Sequence, residues 1–172
     1  MNLCRYFLSF AVFSFIGWAY ETVYYTIQQK KMINSGFLST CFCPIYGIGA
    51  LLDLLILGRI ENTFVLFVAG MIVTGTLEYF VSCLLESLFG RRWWDYTGHF
   101  MNINGRICLL GAVCFGLGGM LLNCYLLPCY MKLYHKIAPK WRWTLCGVCL
   151  AVFVLDITYC AVRPNMGYGI SG

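Results

Sequence analysis

Residues Thr63–Phe89 read TFVLFVAGMIVTGTLEYFVSCLLESLF, a long apolar run with Glu78 set inside it. A helix of that length rises about 40 Å, more than the ~30 Å hydrocarbon thickness of a bilayer. Four further apolar runs lie at approximately Tyr6–Ile27, Pro44–Ile60, Ile107–Tyr130 and Thr144–Val162. The second is short and charges interrupt the others, but the pattern predicts an all-α, polytopic bundle of about five transmembrane helices. Glu21 is embedded in the first run as Glu78 is in the third. A carboxylate in hydrocarbon is costly unless it is paired, protonated or hydrated, so each marks a candidate site.

The composition agrees with a membrane chain. Hydrophobic residues make up 60% and charged residues 11%, with a mean hydropathy of +0.75, well outside the range of soluble domains. The connecting segments are too short to hold a soluble domain, so residues 1–172 read as one membrane-embedded domain. No Gly-rich phosphate loop ending in Gly-Lys-Ser/Thr occurs, and any ATP used must be bound by a separate ATPase subunit. No basic-aromatic array suggests nucleic acid; the basic residues imply contact with membrane lipids. Arg5 followed by apolar Phe7–Ala19 imitates a secretion signal, but no small-x-small site follows, and the run continues through Trp18, Tyr20 and Glu21. The expectation is a retained first helix.

Eleven cysteines are scattered along the chain, mostly within the apolar runs. Cys146 and Cys149 form a C-x-x-C on an apolar helix, and Cys41 and Cys43 lie in a connection. Tetrahedral zinc wants about four ligands at motif spacing, and two widely separated histidines do not supply them. Thiols packing as small hydrophobes are the expectation, with no metal and no cofactor.

Orientation is not set by charge. With five spans, Arg5, Arg59, Lys132, Lys136, Lys140 and Arg142 fall on one side, and Lys30, Lys31, Arg91, Arg92, Arg106 and Arg163 on the other. The positive-inside rule is silent at six against six. Such a balance also suits a head-to-tail homodimer of oppositely inserted chains. The Lys132–Trp143 stretch, with Trp141 and Trp143, suits anionic head groups, which places it and the N-terminus in the cytoplasm.

The surroundings of the two glutamates resemble one another. Gly17-Trp-Ala-Tyr-Glu21 is followed by a polar connection and then Pro44-Ile-Tyr-Gly47; Gly75-Thr-Leu-Glu78 is followed by a polar, aromatic connection and then Asn104-Gly-Arg-Ile107. This predicts two parallel helix-loop-helix repeats, about 6–60 and 63–130, with an additional helix at about 144–162. Parallel repeats are related by an axis along the membrane normal. Glu21 would then lie about 14 Å, and Glu78 about 20 Å, below the same face. The connections on that face carry Asn34, Trp94, Asp95, Tyr96, His99, Asn102, Asn104 and Arg106. Pro44 suits a first helical position, and the helix N-termini would point their positive ends into this region.

Two readings stand for the glutamates: a pair that binds a cation or exchanges a proton, or structural partners of Arg106, hydroxyls and backbone amides. Arg106 either pairs with a glutamate, clamps an anionic group bidentately, or snorkels to the interface. Trp93-Trp94-Asp95-Tyr96 is an interface belt or the rim of a site. Asp53 and Asp156 also lie within spans but have no repeat counterpart. His99 reads as a solvated loop residue. Gly111, Gly116, Gly118 and Gly119 thin the fourth helix for close packing. The candidate solute-binding set is Glu21, Glu78, Asn34, Tyr46, Trp94, Asp95, Asn102, Asn104 and Arg106.

The runs Gly17-Trp-x-x-Glu21, Asn34-x-Gly36-Phe37-Leu38, Cys43-Pro-Ile-Tyr-Gly47, Trp94-Asp95-Tyr96 and Asn102-Ile-Asn-Gly-Arg-Ile-Cys108 resemble the type IV ABC-transporter permease family of small bacterial membrane proteins, over about residues 8–130. The resemblance implies an all-helical, multi-pass protein of the bacterial inner membrane. Ser39-Thr40-Cys41 departs from the Gly-Pro expected before the Cys-Pro-Ile-Tyr-Gly run, which concerns the shape of the first connection.

Three functions follow. The first is a permease-like protein moving a polar or charged small solute through the paired glutamates. The second is an integral-membrane enzyme acting on a lipid or amphiphile, with the carboxylates as acid and base. The third is a non-catalytic membrane subunit.

Overall fold

The computed structural model describes residues 2–163 and is helical. The elements in order are α1 (Asn2–Gln29), α2 (Pro44–Leu55), a 3-10 turn (Leu57–Arg59), α3 (Thr63–Phe89), α4 (Leu109–Leu121), a π-helical turn (Leu122–Leu126), α5 (Leu127–Lys136) and α6 (Pro139–Val162). From α4 to α5 the chain forms one helical run, Leu109–Lys136. Among the described residues four runs are long and apolar enough to cross a membrane: Leu3–Gln29, Thr63–Phe89, Leu109–Lys136 and Pro139–Val162. The expected span at Pro44–Ile60 is instead the 12-residue α2 followed by the 3-10 turn. At 1.5 Å per residue α2 is about 18 Å long, just over half the hydrocarbon thickness. The described residues divide into two compact units, one comprising 2–51 and 130–163, the other Leu52–Cys129.

In the first unit α1 and α6 run parallel, since Cys4 meets Cys146 with their sulfurs 2.8 Å apart and the Phe10 and Phe153 rings cross edge-on at 5.2 Å. The connection after α1 does not stay at the helix end. Ile33 N–H donates to the Thr26 hydroxyl (3.2 Å), Ser35 N–H approaches that of Thr22 (3.4 Å), the Trp18 indole donates to Asn34 (2.5 Å), and Cys43 N–H donates to the Ser14 carbonyl (3.0 Å). Thr26 to Ser14 is about 18 Å of helix. The connection therefore descends half of α1 before Pro44 opens α2. Ile33, Ser35, Leu38 and Cys43 are buried along the way.

Two glycines let α2 press against α1. A Cβ on Gly17 would stand 2.1 Å from the Tyr46 ring, and one on Gly47 2.2 Å from the Ser14 hydroxyl. The descending connection is held from its other side by Asp156 of α6, a buried carboxylate that accepts from Ser39 N–H (3.1 Å), Thr40 N–H (2.9 Å) and the Thr40 hydroxyl. Cys160, one turn on, lies against Ser39 and Asp156.

In the second unit α3 and α4 pack antiparallel. They come close at Gly70 and Gly116, where a Cβ on Gly70 would be 3.4 Å from the Gly116 Cα. The Asn62 side chain caps α3 by accepting from Phe64 N–H and Val65 N–H, both at 3.0 Å, a standard use of asparagine at this position. Gly90, at φ 68°, closes the helix in the left-handed conformation that glycine reaches without strain.

Candidate functional site

Each glutamate receives a tyrosine hydroxyl from the segment that follows its own helix. In the first unit Glu21 accepts from the Tyr46 hydroxyl at 2.8 Å and the Ser35 hydroxyl at 2.5 Å. Gly17 and Glu21 are four residues apart and so share a face of α1. The bare surface at Gly17 seats the Tyr46 ring, and the carboxylate one turn on takes its hydroxyl. Asn34, beside Ser35 in the chain, accepts from Trp18 and donates to the Ser39 carbonyl at 2.7 Å. Glu21 and Tyr46 are therefore in direct contact, and Asn34 is held nearby on Trp18 of the same helix.

In the second unit Glu78 is buried and accepts from the Tyr96 hydroxyl at 3.0 Å. Arg106 is turned toward a third acid. Its guanidinium reaches the Ser82 hydroxyl at 3.0 Å and forms an ion pair with Glu86, and it lies over the Tyr79 ring at 5.8 Å. Glu86 also binds Arg92 at 3.0 Å. Asn104 donates to the Tyr79 hydroxyl at 2.9 Å, and its φ of 54° together with 68° at Gly105 turns the chain sharply before α4. The Trp94 indole donates to the Arg106 carbonyl at 3.0 Å.

Two expected site residues serve the loop itself. Asn102 accepts from Gly105 N–H and donates to the His99 carbonyl, both at 3.0 Å. Asp95 accepts from the Thr97 hydroxyl (2.5 Å) and Thr97 N–H (2.8 Å). Those donors, the hydroxyl foremost, hold the Asp95 carboxyl below the ordinary carboxylate value. Both side chains are consumed by turn formation.

Glu86 is the functional-looking residue that sequence reasoning passed over. Its signal was present: Glu78, Ser82 and Glu86 recur every four residues, one polar line on an otherwise apolar helix. Glu86→Ala removes the anion between Arg92 and Arg106. The expected outcome is protease cleavage within residues 91–108 under conditions where the parent chain stays intact, monitored by mass spectrometry of the fragments.

Among the described residues no group of three or more His, Cys, Asp or Glu side chains is arranged to hold a metal ion. What the geometry offers is hydroxyl and amide donors converging on carboxylates, and one arginine tied to a third acid.

No curated protein and no solved structure matches the chain. A family model does match, over residues 8–161, which takes in both glutamates, both connections and α6. With its four apolar helices of membrane-crossing length, the chain is a membrane protein, and it belongs to the family described as "Putative ABC-transporter type IV".

Proposed function

We propose that this chain is the membrane-spanning part of a transporter, moving a polar or charged small solute past Glu21 and Glu78. One observation carries the reading: the connection 31–43 descends about half of α1 to reach Ser14, so that α2 begins beside the middle of a membrane-length helix. Irregular backbone at that depth is tolerated where it is enclosed by protein or lines a wet cavity. Interrupted helices with their ends near the midplane are where transporters bind solutes and coupling ions. The N-terminus of α2, beside Ser14, and the hydroxyl-bound Glu21, about two turns further along α1, supply partial positive and negative charge on one side of that helix.

The parallel course of α1 and α6 supports five crossings in all. A chain that enters α6 from the side on which it entered α1 must cross an odd number of times in between. α3 and the α4–α5 run make two, and the descending connection with α2 makes the third. In this reading the two glutamate-bearing segments act as parallel repeats in a bacterial inner membrane. Family membership supports a separate ATPase subunit as the source of energy, and two copies of the chain would complete the pathway.

The test is uptake into proteoliposomes from a panel of labelled amino acids, organic anions and inorganic cations, run with a co-purified ATPase, or with a pH gradient in its place. Uptake above protein-free vesicles is expected. It should fall about tenfold in Glu21→Gln and in Glu78→Gln, the effect of losing ~1.4 kcal/mol of charge-assisted binding. Full rates in both variants would contradict the proposal.

A further inference from the structure

Asp53, near the end of α2, takes no part in either glutamate cluster, and its surroundings differ from those of every other acid in the chain. It is 1% exposed, and neither carboxylate oxygen has a hydrogen-bond partner among the described residues. By contrast Asp156, equally deep in an apolar segment, is met by two backbone N–H groups and a hydroxyl. Oδ1 of Asp53 lies over the bare backbone of α4, 3.6 Å from where a Gly119 Cβ would be, and Gly70 of α3 borders the same point at 3.9 Å. The carboxyl group thus occupies the hollow that glycines leave beside the α3–α4 crossing.

One turn beyond Gly119 is Asn123, in the π-helical turn Leu122–Leu126. Its side-chain nitrogen is also buried and without a partner, and its Oδ1 lies 3.9 Å from the Cβ position of Gly58, the residue that abuts the Asp53 carbonyl. A π turn widens the helix and interrupts its i→i+4 ladder, a feature concentrated at functional sites. Two unpartnered polar side chains therefore sit beside one break in the backbone pattern.

A bare carboxylate in this hollow would be unsolvated and uncompensated. The charged and titratable groups of the surrounding elements do not balance it. Arg59, Glu61, Cys114, Cys124 and Tyr125 are exposed, and Glu78 lies two turns beyond Gly70 along α3. A metal cation in place of a proton would need several oxygen ligands, and no acidic cluster surrounds Asp53.

We propose that Asp53 is a proton-binding site: its carboxyl group carries a proton while enclosed beside Gly70 and Gly119, and exchanges it with water when the α2–α4 contact opens near the π turn. In the exchange the O–H bond of the acid breaks to a water molecule, leaving the carboxylate, and re-forms on closure. Within the proposed transporter this would be a site for coupling to a proton gradient. The assignment does not rest on that reading, because its test needs no solute.

The experiment is infrared difference spectroscopy on the full chain in lipid nanodiscs, with aspartate carboxyls carbon-13 labelled. Near neutral pH a protonated carboxyl C=O band is expected that is absent from Asp53→Asn. It should shift on transfer to heavy water and be lost as pH rises. Asp53→Asn preserves the shape and neutrality of the protonated acid, so its helical content and elution volume should match those of the parent chain. Absence of a band assignable to Asp53 would overturn the proposal, as would a band that never shifts in heavy water. Should the band survive potassium but vanish on adding sodium, a cation site would replace the proton site.

Discussion

Gly17→Leu is expected to separate α2 from α1. The first atom of any side chain at position 17 would fall 2.1 Å from the Tyr46 Cγ and 2.5 Å from its Cβ. Those atoms sit at the root of the tyrosine, so rotation of its ring relieves nothing and α2 itself must shift. Overpacking of this kind costs about 1–3 kcal/mol. Moving Tyr46 also removes the hydroxyl it donates to Glu21 at 2.8 Å, a charge-assisted bond whose loss adds about 1.5–3 kcal/mol. The measured outcome is a large fall in thermal stability in detergent or nanodiscs. Gly75→Ala is the control. No heavy atom lies within 4 Å of the Cβ it would gain, and alanine exceeds glycine in helix propensity by about 1 kcal/mol. Gly75→Ala should be neutral or mildly stabilising, although Gly17 and Gly75 occupy similar places in the two sequence frames.

The second large effect is expected at Asp156. Its carboxylate is the terminus for Ser39 N–H, Thr40 N–H and the Thr40 hydroxyl. Asp156→Ala removes the one acceptor these donors share, at a cost of about 1.5–3 kcal/mol, the usual value for hydrogen bonds to a charged group. Asp156→Asn keeps the shape and one acceptor oxygen, and should lose less. The functional consequence is that the connection 31–43 is released from α6. In Asp156→Ala the half-buried Cys41, next to Thr40, should react with a thiol reagent markedly faster than in the parent chain, measured by mass-spectrometric labelling.

Much of this arrangement was legible in the sequence. The length and hydropathy of Thr63–Phe89 alone predict a membrane-crossing helix, and α3 has those bounds. Proline at position 44 marks the start of α2, as its missing N–H allows. Gly17, Glu21 and Tyr46 belong to one motif set, and Tyr46 seats on Gly17 and donates to the Glu21 carboxylate. The depth of the first connection was not legible. Residues 31–43 are polar enough to read as a surface loop, and what pulls them down along α1 is a set of long-range acceptors. These are the hydroxyls of Thr22 and Thr26, the Ser14 carbonyl and the Asp156 carboxylate. Asp156 lies more than a hundred residues away, so no local pattern announces it. The same holds for Arg106. The sequence leaves open whether it pairs with a glutamate, clamps an anionic group or reaches the interface, and the descent of the second connection brings it to Glu86, near the end of α3. Local spacing reveals which groups share a helix face, but not how far a following segment folds back along it.

The descent of the first connection to the middle of α1 is the claim on which the rest depends, and disulfide trapping examines it directly. Cys43 N–H lies 3.0 Å from the Ser14 carbonyl, which brings the two backbones within the reach of a disulfide. In a Ser14→Cys chain retaining Cys43, with the other cysteines replaced by serine or alanine, mild oxidation in native membranes should link the two positions. Cys43 should also resist membrane-impermeant maleimide applied from either side. Rapid labelling of Cys43 from one side, with no Ser14→Cys cross-link, would mean that residues 31–43 form a surface loop, and would contradict the account.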